Sequence, residues 1–190
     1  MGLLDTAPVL IVDQITFWLR SDFQITDPDG NGLGRIETDG GTMRRLLLGP
    51  RELTVYDETG APYLKVLDPP DFGLDHFEIV DGNNEPLARV TKKLTFMTTK
   101  LSVNTYAGDY DLVGNLGAWE LAVTGPAGEV ANVTRTYRGI AEAITGRGTY
   151  AIQYPAETTE VDRRIALGCM IVVDLVLAKQ RQRRAGGAGS

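Results

Sequence analysis

A chain of 190 residues with 43% hydrophobic and 23% charged side chains is long enough for one sizeable core and too apolar to remain unfolded. Its formal net charge of -6 argues against a dedicated nucleic-acid binder, because phosphate contacts need clustered Lys and Arg, and the basic run "KQRQRR" is confined to the tail. The single cysteine, Cys169, excludes an intramolecular disulfide framework and fits a reducing compartment.

The first segment, "MGLLDTAPVLIVDQ", has no basic n-region, and Asp5 and Asp13 bracket its short apolar run, so it does not read as a secretion signal. "MGLLDT" meets the myristoylation pattern formally, a pattern short enough to match often by chance. Four segments then share one layout: "FQITDPDGNGLGRIE", "LTVYDETGAPYLKV", "FEIVDGNNEPLARVTKK" and "WELAVTGPAGEVANVTRTY". Each alternates apolar and polar residues, passes through a cluster of Gly, Asn, Asp or Pro, and resumes alternation, which predicts a β-hairpin each time. In the second, Asp57 favours the start of a turn and Gly60 takes a positive φ at no steric cost. "KLTFMTTKLSVNTY", "YDLVGNLGAWELAV" and "RGTYAIQYP" continue the β pattern, giving about a dozen short strands before Thr158, the cadence of a sandwich or barrel. No linker interrupts them, so residues 1–182 read as a single domain and 183–190 as a disordered tail.

Several stretches invite chemistry. "DPDGNGLGRIE" begins like a calcium-binding EF-hand loop at Asp27, Asp29, Asn31 and Gly32, but Thr38 stands where the motif needs a bidentate Glu, and strands replace the flanking helices. A polar β-turn is the better reading. His76, beside Asp75, has no Ser or Cys nucleophile in a recognisable elbow, and Cys169 lies in an apolar run where a thiol is inert. No catalytic constellation emerges, and the chain reads as non-enzymatic.

The most apolar stretch, "IALGCMIVVDLVLAK", follows a helix start at Thr158 or Thr159 with acidic neighbours and predicts a helix over about 158–182. Apolar residues surround its axis, so it needs apolar surroundings on all sides. Residues 165–178 reach about 21 Å, short of the roughly 30 Å of a bilayer core, and Asp174 would oppose insertion. The helix is therefore expected inside the strands, with Asp174 as a buried charge that must be hydrogen-bonded, reach the barrel mouth, or titrate upward.

A dozen strands in consecutive hairpins followed by one apolar helix resembles the superfamily of tubby C-terminal, LURP-one-related and phospholipid scramblase domains. "RELTVYDETGAPYLKV" and "YAIQYPAETTEVDRRIALGCMIVVDLVL" carry the resemblance most specifically. It implies a closed barrel of about twelve strands enclosing the C-terminal helix, and a lipid- or membrane-associated protein at the cytoplasmic face of the membrane. It also implies a calcium-binding acidic segment, for which Glu157, Glu160 and Asp162 are the candidates. Gly146 and Gly148 occupy upstream positions of that segment and offer no side-chain oxygen, against the six to eight that calcium takes. As tubby-type domains do for phosphoinositides, Arg44, Arg45, Lys92, Lys93 and Lys100 could present a cationic face to anionic phospholipid headgroups. Lysines on strand edges also serve simply to block aggregation. A helix inside a barrel cannot at the same time span lipid, so scrambling is not carried over as a mechanism. The alternative is a soluble binding module of the same fold without lipid contact, its protein partner unidentified.

Overall fold

The computed structural model describes residues 2–13, 22–38, 51–69, 76–94, 99–105, 108–115, 120–136 and 149–186. Twelve antiparallel strands form a closed barrel: Val9–Asp13 (β1), Asp22–Thr26 (β2), Gly32–Thr38 (β3), Arg51–Asp57 (β4), Pro62–Asp68 (β5), His76–Asp81 (β6), Pro86–Leu94 (β7), Thr99–Thr105 (β8), Gly108–Asn115 (β9), Glu120–Gly125 (β10), Gly128–Thr136 (β11) and Thr149–Gln153 (β12). Each strand pairs with the next, and β12 returns to β1 with Val9 opposite Gln153 and Asp13 opposite Thr149. Closure removes the sheet edges that would otherwise template aggregation. One short helix, Leu3–Thr6 (α1), precedes the barrel, and one long helix, Glu160–Gly186 (α2), follows it.

All four expected hairpins form, and three of them solve the turn in the same way. Asp27, Asp57 and Asp81 each donate a backbone N–H to the carbonyl four residues on and accept one from the residue three on. That third residue has positive φ: Gly30 (87°), Gly60 (85°) and Asn84 (69°). The Asp carboxylates accept further backbone N–H groups, from Asn31, from Thr59 and Ala61, and from Asn83 and Glu85. A bulge follows at equivalent places, between Ile25 and Thr26, Val55 and Tyr56, and Ile79 and Val80. Asp supplies the acceptor and Gly or Asn the left-handed backbone, so the register of each hairpin is written locally.

Alternate residues point inward, Leu53 and Val55, Leu64 and Val66, Phe77 and Ile79 among them, and all are buried. They enclose α2, whose residues 165–176 are buried without a break. Burial all round the axis matches the absence of an apolar stripe, and each enclosed aliphatic side chain contributes roughly 1.5–3 kcal/mol. Gly168 packs tightly against the wall: a Cβ there would lie 2.7 Å from Ile79 Cδ1. The helix begins at Glu160 and continues to Gly186, so residues 183–186, expected to be disordered, are helical.

The antiparallel order gives the barrel two dissimilar ends. At the turn end lie the hairpins β2–β3, β4–β5, β6–β7, β8–β9 and β10–β11, together with α1 and the start of α2. At the loop end lie the longer connections, including 14–21, 39–50 and 137–148, and the end of α2.

Candidate functional site

Adjacent arginines near a helix N-terminus run against the dipole, so other groups must hold them. Arg163, buried, donates Nη1 to the Ala7 carbonyl at 2.6 Å and Nε to the Thr158 carbonyl at 3.3 Å. Its guanidinium lies 4.5 Å from the centre of the Tyr154 ring. Arg164 stacks 4.8 Å from the Tyr63 ring centre, with Nη2 3.6 Å from Asp5 Oδ1 and 3.9 Å from Glu160 Oε2. The Tyr63 hydroxyl donates to Asp5 Oδ1 at 2.8 Å, and the Gly2 N–H donates to Asp5 Oδ2 at 3.0 Å. With Leu4 buried and packed over Gly34, the N-terminal arm seals the turn end. Burial first, then the hydrogen bond and charge of Asp5, hold the Tyr63 hydroxyl well above its ordinary value. The pair "RR" against the helix dipole was the legible signal for this network; its long-range links, Arg163 to Ala7 across 156 residues and Tyr63 to Asp5 across 58, were not.

Beside the seal, an open cleft of about 600 Å³ runs between the β10–β11 turn and the start of α2. Tyr110, Val130, Pro155, Val161, Glu157 and Asp162 line it, so two of the three acidic candidates meet there. Asp162 is committed to structure: its Oδ1 accepts from the Tyr110 hydroxyl, its Oδ2 accepts from Thr159 Oγ1 at 2.7 Å, and its N–H donates to Thr159 Oγ1 at 3.2 Å. That is a reciprocal cap on α2. Glu160 turns away toward Arg164, and Glu157 is exposed. Calcium needs converging oxygens, and among the described residues no group of three His, Cys, Asp or Glu side chains is placed to hold a metal ion. The residues present do not form a calcium shell.

The β2–β3 segment that begins like a calcium loop is a polar turn. Asp27 accepts from Asn31 N–H at 2.8 Å and from Asn31 Nδ2 at 2.7 Å, and those bonds hold its carboxyl below the usual carboxylate value. His76 opens β6 opposite Thr91; Asp75 lies outside the described residues. Cys169 faces the core, and burial pushes its thiol up to about 12, which leaves no thiolate for nucleophilic chemistry.

Of the cationic candidates, Lys93 stands directly opposite Lys100 in the β7–β8 ladder, and Lys92 stands opposite Leu101 on the alternate register. All three lie on described backbone at the loop end; Arg44 and Arg45 fall outside the described residues. Asp174, 2% exposed, lies in α2 beside Tyr150, the second residue of β12. Burial first, then the Asp174 charge, push the Tyr150 hydroxyl well above its ordinary value, so the two groups form one polar contact at the level of the loop-end rim. The charge expected inside the helix is buried and partnered by the barrel wall.

Among the described residues no helix is long and apolar enough to cross a membrane. No curated protein sequence matches the chain significantly. Its structure is similar to an X-ray structure of a protein from Arabidopsis thaliana, with a TM-score of 0.59 at 17% identity, covering 90% of this chain and 94% of that one. At that identity the likeness concerns the fold. The model of the LURP-one-related family matches residues 9–174, from the first residue of β1 to the buried charge of α2. The chain therefore belongs to the LURP-one-related family, within the tubby-like and scramblase superfamily.

Proposed function

We propose that this protein is a non-catalytic, lipid-associated barrel that binds anionic phospholipid headgroups peripherally, at the cytoplasmic face of a membrane. The observation that carries the reading is the opposed pair Lys93 and Lys100. Like charges directly across a ladder destabilise the sheet. The usual reason to keep lysine on a strand is to guard an open edge, and β7 and β8 are each paired on both sides in a closed barrel. An anionic headgroup held across the two strands would offset that repulsion. Scrambling is not part of the proposal, because α2 fills the core and cannot span lipid while it does so. Calcium is not part of it either, since Asp162 and Glu160 already have protein partners.

Vesicle flotation tests the reading. The protein should float with phosphatidylserine-containing vesicles, release as salt rises, and be indifferent to a calcium chelator. A protein that floats with no vesicle composition is not lipid-associated. The second reading, a soluble binding module of the same fold, is favoured by the net charge of -6, which opposes adsorption to an anionic surface. It predicts unchanged sedimentation in the presence of every vesicle.

A further inference from the structure

Acidic turns and a basic helix end lie at opposite ends of this barrel. The repeated turns carry Asp27 and Asp29, Asp57 and Glu58, and Asp81 and Glu85. Glu129, Glu157 and Asp162 add to them around the cleft at the start of α2. The cations nearest this end are already engaged: Arg35 with Glu37 and the Tyr56 ring, Arg163 with Tyr154 and Ala7, Arg164 with Tyr63 and Asp5.

The loop end carries basic residues of its own. Lys93 and Lys100 oppose each other in the last rungs before the β7–β8 connection. Asp174 sits at the level of Tyr150, and the neighbouring Thr149 pairs with the last residues of β1 and β11, Asp13 and Thr136. The helix therefore reaches this rim at about Asp174 and continues to Gly186. Residues 178–186 carry it about 13 Å further along its axis. Lys179, Arg181, Arg183 and Arg184 all lie on that segment. One or two cations in a last turn complement the helix dipole; four over two turns exceed that need. Of the acids on described backbone at the same rim, Asp68 and Asp174 are buried and Glu37 and Glu52 pair with Arg35 and Lys65, while Asp13, Asp22 and the exposed Glu120 also stand there.

We infer that the protein docks end-on to an anionic bilayer, with the projecting basic end of α2 and the Lys93–Lys100 rungs against the headgroups and the acidic turn end facing away. The inference rests on the lipid reading above and adds an orientation to it. A planar anionic surface is the partner that meets a helix tip and a strand rim at once, while the carboxylates of the turns are repelled to the far side. Residues 175–186 lie beyond the family match, whereas Lys93 and Lys100 lie within it.

Full-length protein is labelled with an environment-sensitive dye at Gln182→Cys or, on the β6–β7 turn, at Asn83→Cys; buried Cys169 does not compete for the label. With phosphatidylcholine vesicles containing phosphatidylserine, the Gln182 label should shift to the blue and the Asn83 label should not. Changing Lys179, Arg181, Arg183 and Arg184 together to Gln should reduce partition about 600-fold, and Lys93→Gln with Lys100→Gln about 25-fold, at about fivefold per charge. Glu85→Lys at the turn end should change it little. Unchanged thermal melting shows that the variants are folded. Partition that persists with both basic groups neutralised, or a blue shift at Asn83, overturns the orientation and leaves the lipid reading standing. No partition of the unaltered protein overturns both.

Discussion

The two ends of the barrel are built on different principles. At the turn end, short hairpins with side-chain acceptors fix the register, the N-terminal arm covers the mouth, and Arg163 and Arg164 tie α1, β5 and the β12–α2 link together through buried hydrogen bonds and ring contacts. At the loop end the connections are longer, and the described polar contact between helix and wall is that of Asp174 with Tyr150. A closed barrel with a central helix needs one end sealed against water and leaves the other for the chain to emerge. The difference teaches that the described polar contacts concentrate where the chain turns back tightly, while the basic run of the sequence continues from the end where the helix leaves.

The largest expected effect breaks the sealed end. Asp5→Ala strands the Tyr63 hydroxyl and removes the buried partner of Arg164, and should cost about 3 kcal/mol in denaturant unfolding. Asp174→Leu should cost less, about 2 kcal/mol, with part of it recovered when Tyr150→Phe is added. A loss from Asp174→Leu larger than that from Asp5→Ala would reverse the comparison of the ends. Gly168→Ala tests the packing that both ends share: its methyl must displace Ile79 and should cost about 1–2 kcal/mol, relieved in part by Ile79→Val, which removes Cδ1 and keeps both Cγ atoms.

Alkaline titration should separate buried from exposed tyrosines. Tyr63, Tyr110, Tyr150 and Tyr154 are all held above the ordinary value of 10, chiefly by burial. Their folded pKa values are raised, so their contribution is intact below pH 10 and lost as pH rises beyond it, when the unfolded chain ionises and the folded one does not. Absorbance of tyrosinate should therefore appear for these four only together with unfolding. The smallest effect is in acid. The hydrogen bond from Thr59, with backbone N–H groups behind it, lowers the Asp57 pKa from 3.8, so its contribution is present above that pH and lost as pH falls through the lower folded value. Asp57→Ala should flatten the acid limb of the stability profile measured by thermal melting.

Much of the fold was legible because its instructions are local. Alternation marks the strands, and Asp followed by Gly or Asn at a fixed offset marks the turns of β2–β3, β4–β5 and β6–β7, since one carboxylate and one left-handed residue suffice to reverse the chain. The continuous apolar run 165–177, too short for a bilayer, announced a helix with protein on every side. The polar network was not legible in the same way. Nothing in the sequence links Asp5 to Tyr63, and only closure of the barrel brings them to Arg164. Of the acidic candidates, the family resemblance grouped Glu157, Glu160 and Asp162, whereas the first turn of α2 points Glu160 away from the other two.

Local chemistry in the sequence by itself determined the strand count, the hairpin turns, the apolar central helix and the family. The tertiary structure alone decided that the acidic turns gather at one end, and that Lys93, Lys100 and the basic helix end gather at the other. The reason is topological: in an antiparallel barrel successive connections alternate between the two ends, so residues far apart along the chain acquire a common surface only when the last strand pairs with the first.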